Sequence, residues 1–427
     1  MQRGAPVPLT GERGLPLAVT DALLDAVRVG LRCEDGVLAA IGPDVVPQPD
    51  DETIDANGAH LVPPLVNGHT HAAMTLFRGS GGDLPLTPWL EEKIWPVEAK
   101  LDEEDVYRGA RLACAEMIRS GTTRFWDMYW HPEATAQAVE EAGIRAAIGA
   151  PLFDAGGGFE ELRASAHRSA EALARFGPLV TTALAPHAIY TVSERSLRWI
   201  GEFSAERGLP VQIHLSETEK EVRDCLVEHG ERPAHYLDRL GLLSERAILA
   251  HGVWLDLEEL ALIAERGATV VTNPVANMKL AVGGVFLHPA ARAAGVNVGL
   301  GTDGAGSNDS LDLLADLKLF ALAQKHAAAD PTAIDAAEAW AVATGARAPM
   351  LGATPLDIGA PADFLLLRPD APELGIGDLA SDLVYAASGS VVDTTVVAGR
   401  VLMRGGELPD LDEIVAKAAE RARRLGL

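Results

Sequence analysis

The sequence is poor in cysteine. Its 427 residues include only three, Cys33, Cys114 and Cys225, scattered and without a C-x-x-C pair. This excludes a disulfide framework and a structural zinc ribbon, and reads as three free thiols in a reducing compartment. Long apolar runs are missing too: none reaches the ~20 residues of a membrane-spanning helix. Residues 1–20 carry Arg3 and Arg13 but no continuous apolar stretch of the secretory kind, so a cytoplasmic location is expected. Positive charge is scarce. Lys and Arg total 36 against 61 Asp and Glu, a net charge of -25. Such a surface repels phosphate backbones and anionic lipid, so neither nucleic acid nor membrane is expected as a partner, and a small-molecule substrate fits better. Acidity that serves solubility alone is the plainer reading of the same number. Three catalytic patterns are also absent. No dinucleotide-binding loop follows a strand-like run, because Gly156-Gly157-Gly158 lacks the fingerprint spacing; there is no H-E-x-x-H helix, and no H-x-E paired with P-C-x-x-C.

What is present begins with size. A chain of 427 residues that is 48% hydrophobic suits two or three domains, or one large barrel with an appendage. Both ends read as short strands with tight turns: Leu15–Thr20, Val27–Cys33 and Val37–Ile41 at one end, Asp363–Leu367, Thr394–Ala398 and Arg400–Arg404 at the other. Neither end has enough strands for a sheet of its own. Residues 1–60 and 353–427 are therefore expected to build one small β domain together, and Asp410–Leu427 a terminal helix. Between them, at 61–352, strand-like runs alternate with helical ones. The runs are Leu61–Val66, Thr122–Met128, Arg145–Leu152, Val180–Ala185, Pro210–Leu215, Ala247–Ala250, Ala268–Thr272 and Asn297–Leu300. Eight such alternations predict an α/β chain with a (β/α)8 TIM-like barrel; a doubly wound open sheet is the alternative.

In such a barrel the C-terminal strand ends share one mouth. Those ends carry His69 and His71, Asp127, His187, His214 with Glu217, His251, Asn273 and Asp303. His69 and His71 are two apart on an extended run and so face the same way. For any single histidine an ordinary hydrogen-bonded residue is the competing reading. The whole set gathers five of the twelve histidines at strand ends. Three histidines and a carboxylate suit Zn2+ or Fe2+. The chemistry that follows is hydrolytic: water activated at a metal attacks an electrophilic carbon. Asp303 is placed to accept the water's proton, Glu217 to carry a proton to the substrate, and His251 to hydrogen-bond the attacking oxygen. The remaining histidines, His60, His131, His167, His229, His235, His288 and His326, are read as structural or solvated.

These motifs resemble the amidohydrolase superfamily over roughly residues 15–405. The matching pieces are Pro64-Leu-Val-Asn-Gly-His-Thr-His71, Gly121-Thr-Thr-Arg-Phe-Trp-Asp-Met128, His214-Leu-Ser-Glu217, Ala250-His-Gly252 and Gly299-Leu-Gly-Thr-Asp-Gly304. The resemblance implies a distorted (β/α)8 barrel, a small β-sandwich from both termini, and one divalent metal held by His69, His71, His214 and Asp303. Two-metal members bridge their ions with a lysine on strand 4. Here that strand reads Thr181-Thr-Ala-Leu-Ala-Pro-His187, which implies a single ion. The stretches Arg78–Leu90 and Ile94–Lys100 are most similar to deaminases of methylthioadenosine, S-adenosylhomocysteine and related adenosines. By that likeness Glu98 binds the ribose hydroxyls, His187 and Trp89 contact the substrate, Glu217 meets the purine, and Ser307 lies beside the pocket. Without it, Glu98 reads as a solvated helix residue. Members accepting S-adenosylhomocysteine hold its carboxylate with arginines after strand 3, and Gly149–Phe159 contains none. A neutral substrate is therefore favoured: methylthioadenosine, adenosine or 5′-deoxyadenosine. Departures at Asn273-Pro-Val-Ala-Asn277 and His251-Gly-Val-Trp254 bear on fine specificity. The alternatives are hydrolysis of another heterocycle (guanine, a pterin or a triazine) and a non-catalytic barrel, which would be expected to have lost ligands or Glu217. Oligomers are common in the superfamily, so a homo-oligomer is a candidate assembly.

Overall fold

A computed structural model of the protein describes residues 16–80, 84–154 and 158–427. The first residues of the expected N-terminal segment, Gly156-Gly157, and parts of the stretches 78–90 and 149–159 lie outside the described residues.

The two chain ends form one eight-stranded sheet. Its order runs Arg400–Met403, Val392–Val397, Phe364–Leu367, His60–Val62, Leu17–Leu24, Val27–Glu34, Val37–Gly42, with Glu52–Asp55 also paired to Leu17–Leu24. The turn Glu34-Asp35-Gly36 joins Val27–Glu34 to Val37–Gly42, with φ of 50° at Asp35 and 79° at Gly36. Positive φ at both central positions matches the right-handed twist of a hairpin. The Val37 edge does not end in solvent. Leu38 donates to Ala360 O at 2.9 Å and Ala362 to Gly36 O at 2.9 Å, so the sheet curls back on the segment that enters Phe364–Leu367. Leu17, Leu31, Leu38, Phe364 and Val396 fill the space inside.

The middle of the chain supplies parallel strands alternating with helices: β1 (Leu65–Thr70), β2 (Thr122–Met128), β3 (Arg145–Gly149), β4 (Val180–Thr182), β5 (Val211–Leu215), β6 (Ala247–His251), β7 (Thr269–Thr272) and β8 (Asn297–Leu300). They fall into two parallel sheets, β1-β2-β3-β4 and β5-β6-β7-β8. Bridges Leu184–Val211 and Ala188–His214 link β4's chain to β5. On the other side Asp303 donates to His69 O at 3.0 Å, and Asn67 exchanges bonds with Thr302: Nδ2 to Oγ1 at 2.8 Å, and Thr302 N to Oδ1 at 3.1 Å.

The expected run Leu61–Val66 is two strands. His60–Val62 pairs antiparallel with Phe364–Leu367 in the terminal sheet, and β1 begins only at Leu65. Pro63 and Pro64 cause the break, since neither can donate to a ladder. The expected Arg145–Leu152 and Val180–Ala185 are likewise interrupted; Pro151–Leu152 and Ala185–Pro186 pair as a separate two-stranded piece.

The two parts are joined by a buried ion pair. Arg145, at the start of β3, donates to both Asp363 oxygens at 2.7 and 2.9 Å, and Ala398 N donates to Asp363 Oδ1 at 2.7 Å. The terminal helix, Leu411–Leu425, packs on helix Glu103–Arg119 and not on the terminal sheet's core. No helix among the described residues is long and apolar enough to cross a membrane.

Candidate functional site

The strand ends converge as their order requires. Rings of His69, His71 and His214 lie 4.9–5.4 Å apart, and that of His251 lies 5.6 Å from His69 and 5.4 Å from His214. Close backbone approach makes this possible. At Gly68 an added Cβ would lie 2.9 Å from both Leu351 Cδ1 and Val271 Cγ2; at Gly301 it would lie 2.4 Å from Asn273 Oδ1. Three side-chain-bearing residues at or just past strand ends have left-handed backbone: Ser216 (φ 52°), His251 (φ 76°) and Asp303 (φ 62°). Non-glycine residues rarely adopt it, and such positions cluster where side chains must be aimed at a site.

Each of the three histidines is fixed through Nδ1. That of His69 lies 2.7 Å from Gln212 Oε1, that of His71 2.7 Å from Met128 O, and that of His214 2.8 Å from His187 O. All three acceptors lack a proton, so Nδ1 donates and Nε2 presents a lone pair. This is how proteins orient metal-binding imidazoles. His71 Nε2 lies 3.2 Å from Asp303 Oδ1 and His69 Nε2 lies 3.4 Å from it. Ligands about 2.1 Å from a tetrahedral ion are about 3.4 Å from one another. His69 Nε2 and Asp303 Oδ1 are buried with no hydrogen-bond partner, which native proteins seldom tolerate. The donor set therefore fits a divalent cation. His69, His251 and Asp303 form a second close grouping, so His251 borders the same point.

Protonation agrees for three of the four. Burial lowers His69 to about 4 and His214 well below the usual imidazole range, leaving both neutral. Asp303 is held well below the usual carboxylate range: burial opposes ionisation, but the adjacent His69 and His71 rings outweigh it. His71 differs. Burial pulls it down, yet the adjacent Asp303 lifts it to about 9, so metal binding there competes with a proton.

Around this cluster lies a cleft lined by Trp89, Glu98, His187, Glu217, His251 and Ser307, among others. Every residue expected at the site borders it or the cluster. Glu217 is 6% exposed and burial raises its pKa. It lies 4.0 Å from His251 Nδ1, which itself bonds Asn277 Oδ1 at 2.8 Å. His187 stacks on Phe153 with ring centroids 4.7 Å apart, and its Nδ1 lies 3.0 Å from Thr191 Oγ1. Glu98 is half-buried, not solvated as its local sequence suggests; burial raises its pKa against the opposing pull of Tyr129, His71 and Trp130. Ser307 is committed elsewhere than substrate: its hydroxyl donates to Asp303 Oδ2 at 2.6 Å. Asp127 accepts from Ala72 N at 2.7 Å and so fixes the turn after His71.

Several residues escaped sequence reasoning. Gln212 holds His69. Tyr129, Trp130 and Phe153 form an aromatic wall, with Trp130 stacked on Phe153 at 5.7 Å. Glu221 accepts from Ser216 N at 2.8 Å and Glu217 N at 2.9 Å, anchoring the loop that presents Glu217. The last had a sequence signal, because Thr218-x-x-Glu221 has the spacing of a helix-capping pair.

Residues 60–402 match the amidohydrolase family. A 5′-deoxyadenosine deaminase of Methanoregula boonei is 50% identical over 87% of this chain and 86% of its own. A 5-methylthioadenosine/S-adenosylhomocysteine deaminase of Archaeoglobus fulgidus is 42% identical over 93% and 96%. Among solved structures, an adenosine deaminase from Xanthomonas campestris with bound zinc superposes with a TM-score of 0.89 at 35% identity, covering 96% of this chain and 98% of that one. On both sequence and shape, this chain belongs to the amidohydrolase family.

Proposed function

We propose that the protein deaminates an adenosine-type nucleoside, with methylthioadenosine, adenosine or 5′-deoxyadenosine favoured over S-adenosylhomocysteine. The unit that does so is a closed (β/α)8 barrel. The division at 1–60, 61–352 and 353–427 is kept with one change: Leu61 and Val62 go with the terminal sheet. One divalent ion, Zn2+ or alternatively Fe2+, would be held by His69, His71, His214 and Asp303. When bound, such an ion supplies Lewis acidity, making water acidic enough to attack near neutral pH. Asp303 takes the water's proton. Glu217, its pKa raised by burial, gives a proton to the purine nitrogen next to the attacked carbon. His251, oriented by Asn277, hydrogen-bonds the adding oxygen. The adduct's hydroxyl then gives its proton back to Glu217 as the C=O bond forms, and Asp303 gives the water's proton to the amino group, whose C–N bond breaks to release ammonia and leave the inosine analogue.

The observation that carries this reading is the pairing of the metal-type cluster with Glu98 in one cleft. Glu98 accepts the ribose hydroxyls, His187 and Trp89 border the base and sugar, and Ser307 keeps Asp303 in place. No Lys or Arg lines the cleft among the described residues, and its mouth carries Trp95, Trp130 and Tyr190. An amino-acid tail would find no cationic partner there, whereas an apolar 5′ group covers aromatic surface. The test is Glu98→Gln. It should raise KM for nucleosides by about tenfold or more and leave any slow turnover of free bases unchanged. Equal loss for both classes would contradict a ribose contact. Relatives 50% and 42% identical to this chain are named as deaminases of related adenosines, which supports the same substrate class here.

A further inference from the structure

We propose that the C-terminal helix is a strap that sets the position of Glu98, and that Arg424 is its positioning residue. This rests on the reading of Glu98 as the ribose contact. The segment Leu86–Glu98, which covers one side of the cleft, consists of three short helical pieces. It ends in a single turn, with Lys100 N bonded to Val97 O at 2.9 Å and Leu101 N to Glu98 O at 3.0 Å. Helix Leu411–Leu425 reaches that turn from the far end of the sequence. Arg424 Nη2 donates to Lys100 O at 3.1 Å, two residues past Glu98. The same guanidinium pairs with Asp105 through both Nε and Nη2. Asp105 is fully buried and closes the capping box of helix Glu103–Arg119 with Asp102. Ala418 and Leu425 are buried in one apolar cluster with Trp89, Ile94 and Tyr129, all of which line the cleft. One side chain thus ties a rigid helix end to the turn that carries Glu98.

Arg421 is a built-in control. It also binds Asp105 (Nε to Oδ1 at 2.5 Å) and Asp102 (2.7 Å to each oxygen), but makes no bond to the turn. Removing either arginine leaves the other on the buried carboxylate, so a merely structural role predicts similar effects. A positioning role predicts that they separate. Arg424→Ala should raise KM for the nucleoside by about tenfold with kcat within about threefold, while Arg421→Ala changes KM by less than about threefold. In a Glu98→Gln background Arg424→Ala should have little further effect on KM. Amide exchange gives a readout independent of activity: Lys100 and Leu101 should exchange faster in Arg424→Ala and not in Arg421→Ala. Equal behaviour of the two variants in exchange overturns the strap. If exchange separates them but KM does not, Arg424 holds the turn without positioning Glu98, and the inference fails at that step. Should the unmodified protein turn over no nucleoside, the reading of Glu98 fails, and exchange alone reports on the strap.

Discussion

At the scale of single residues, the site depends on each imidazole having one nitrogen committed. Gln212, Met128 O and His187 O take the Nδ1 protons, and the Nε2 atoms are left to converge with Asp303. Elemental analysis should find one divalent ion per chain, lost on His214→Ala; two tightly held ions would contradict the single-ion site. Glu217→Gln should keep the metal and the fold yet lower kcat by roughly 10²- to 10⁴-fold, the usual worth of a proton-transferring group. Near-normal turnover would remove its role. Period and spacing put His-x-His and the other strand-end residues at one mouth, and the family resemblance singled out four of them as ligands. The supporting residues were not legible in the sequence. Gln212 is 143 positions from His69 and Asp303 is 232 from His71, so their contacts exist only once the strands are ordered. Glu98 illustrates the opposite error: beside Lys93 and Lys100 it looks solvated, and only the packing of its segment over Tyr129 buries it.

At the scale of elements, alternation of strand-like and helical runs predicts the order of the parallel strands, and Asn67 with Thr302 shows how β1 meets β8. The misplaced boundary at Leu61–Val66 had its cause in plain view, since Pro63-Pro64 breaks any ladder. The Arg145–Asp363 pair was not visible, because its partners are 218 positions apart. It ties the terminal sheet to β3, and its side chains are 10% and 1% exposed. Removing one member of a buried pair strands the other. Asp363→Ala should therefore lose about 3–5 kcal/mol in urea unfolding. A loss below about 1 kcal/mol, as for exposed pairs, would contradict its structural role.

At the scale of the whole molecule, the few cysteines are kept out of reach of solvent. Cys33, Cys114 and Cys225 are all buried, and burial pushes each thiol up to about 12. Thiolates are the reactive species, so the folded protein should resist a thiol reagent at neutral pH, and all three should react after denaturation. The acidic surface and a cleft without Lys or Arg among the described residues point the same way, toward a neutral small molecule. The central claim is the deamination of an adenosine-type nucleoside at the His69–His71–His214–Asp303 cluster. Its most direct test is ammonia release by the zinc-loaded protein from methylthioadenosine, adenosine, 5′-deoxyadenosine and S-adenosylhomocysteine, beside guanine, a pterin and an aminotriazine. Turnover of the neutral nucleosides, with the inosine analogue as product and S-adenosylhomocysteine the poorest nucleoside, is the predicted result. Silence on every nucleoside, or a preference for one of the free heterocycles, would contradict it.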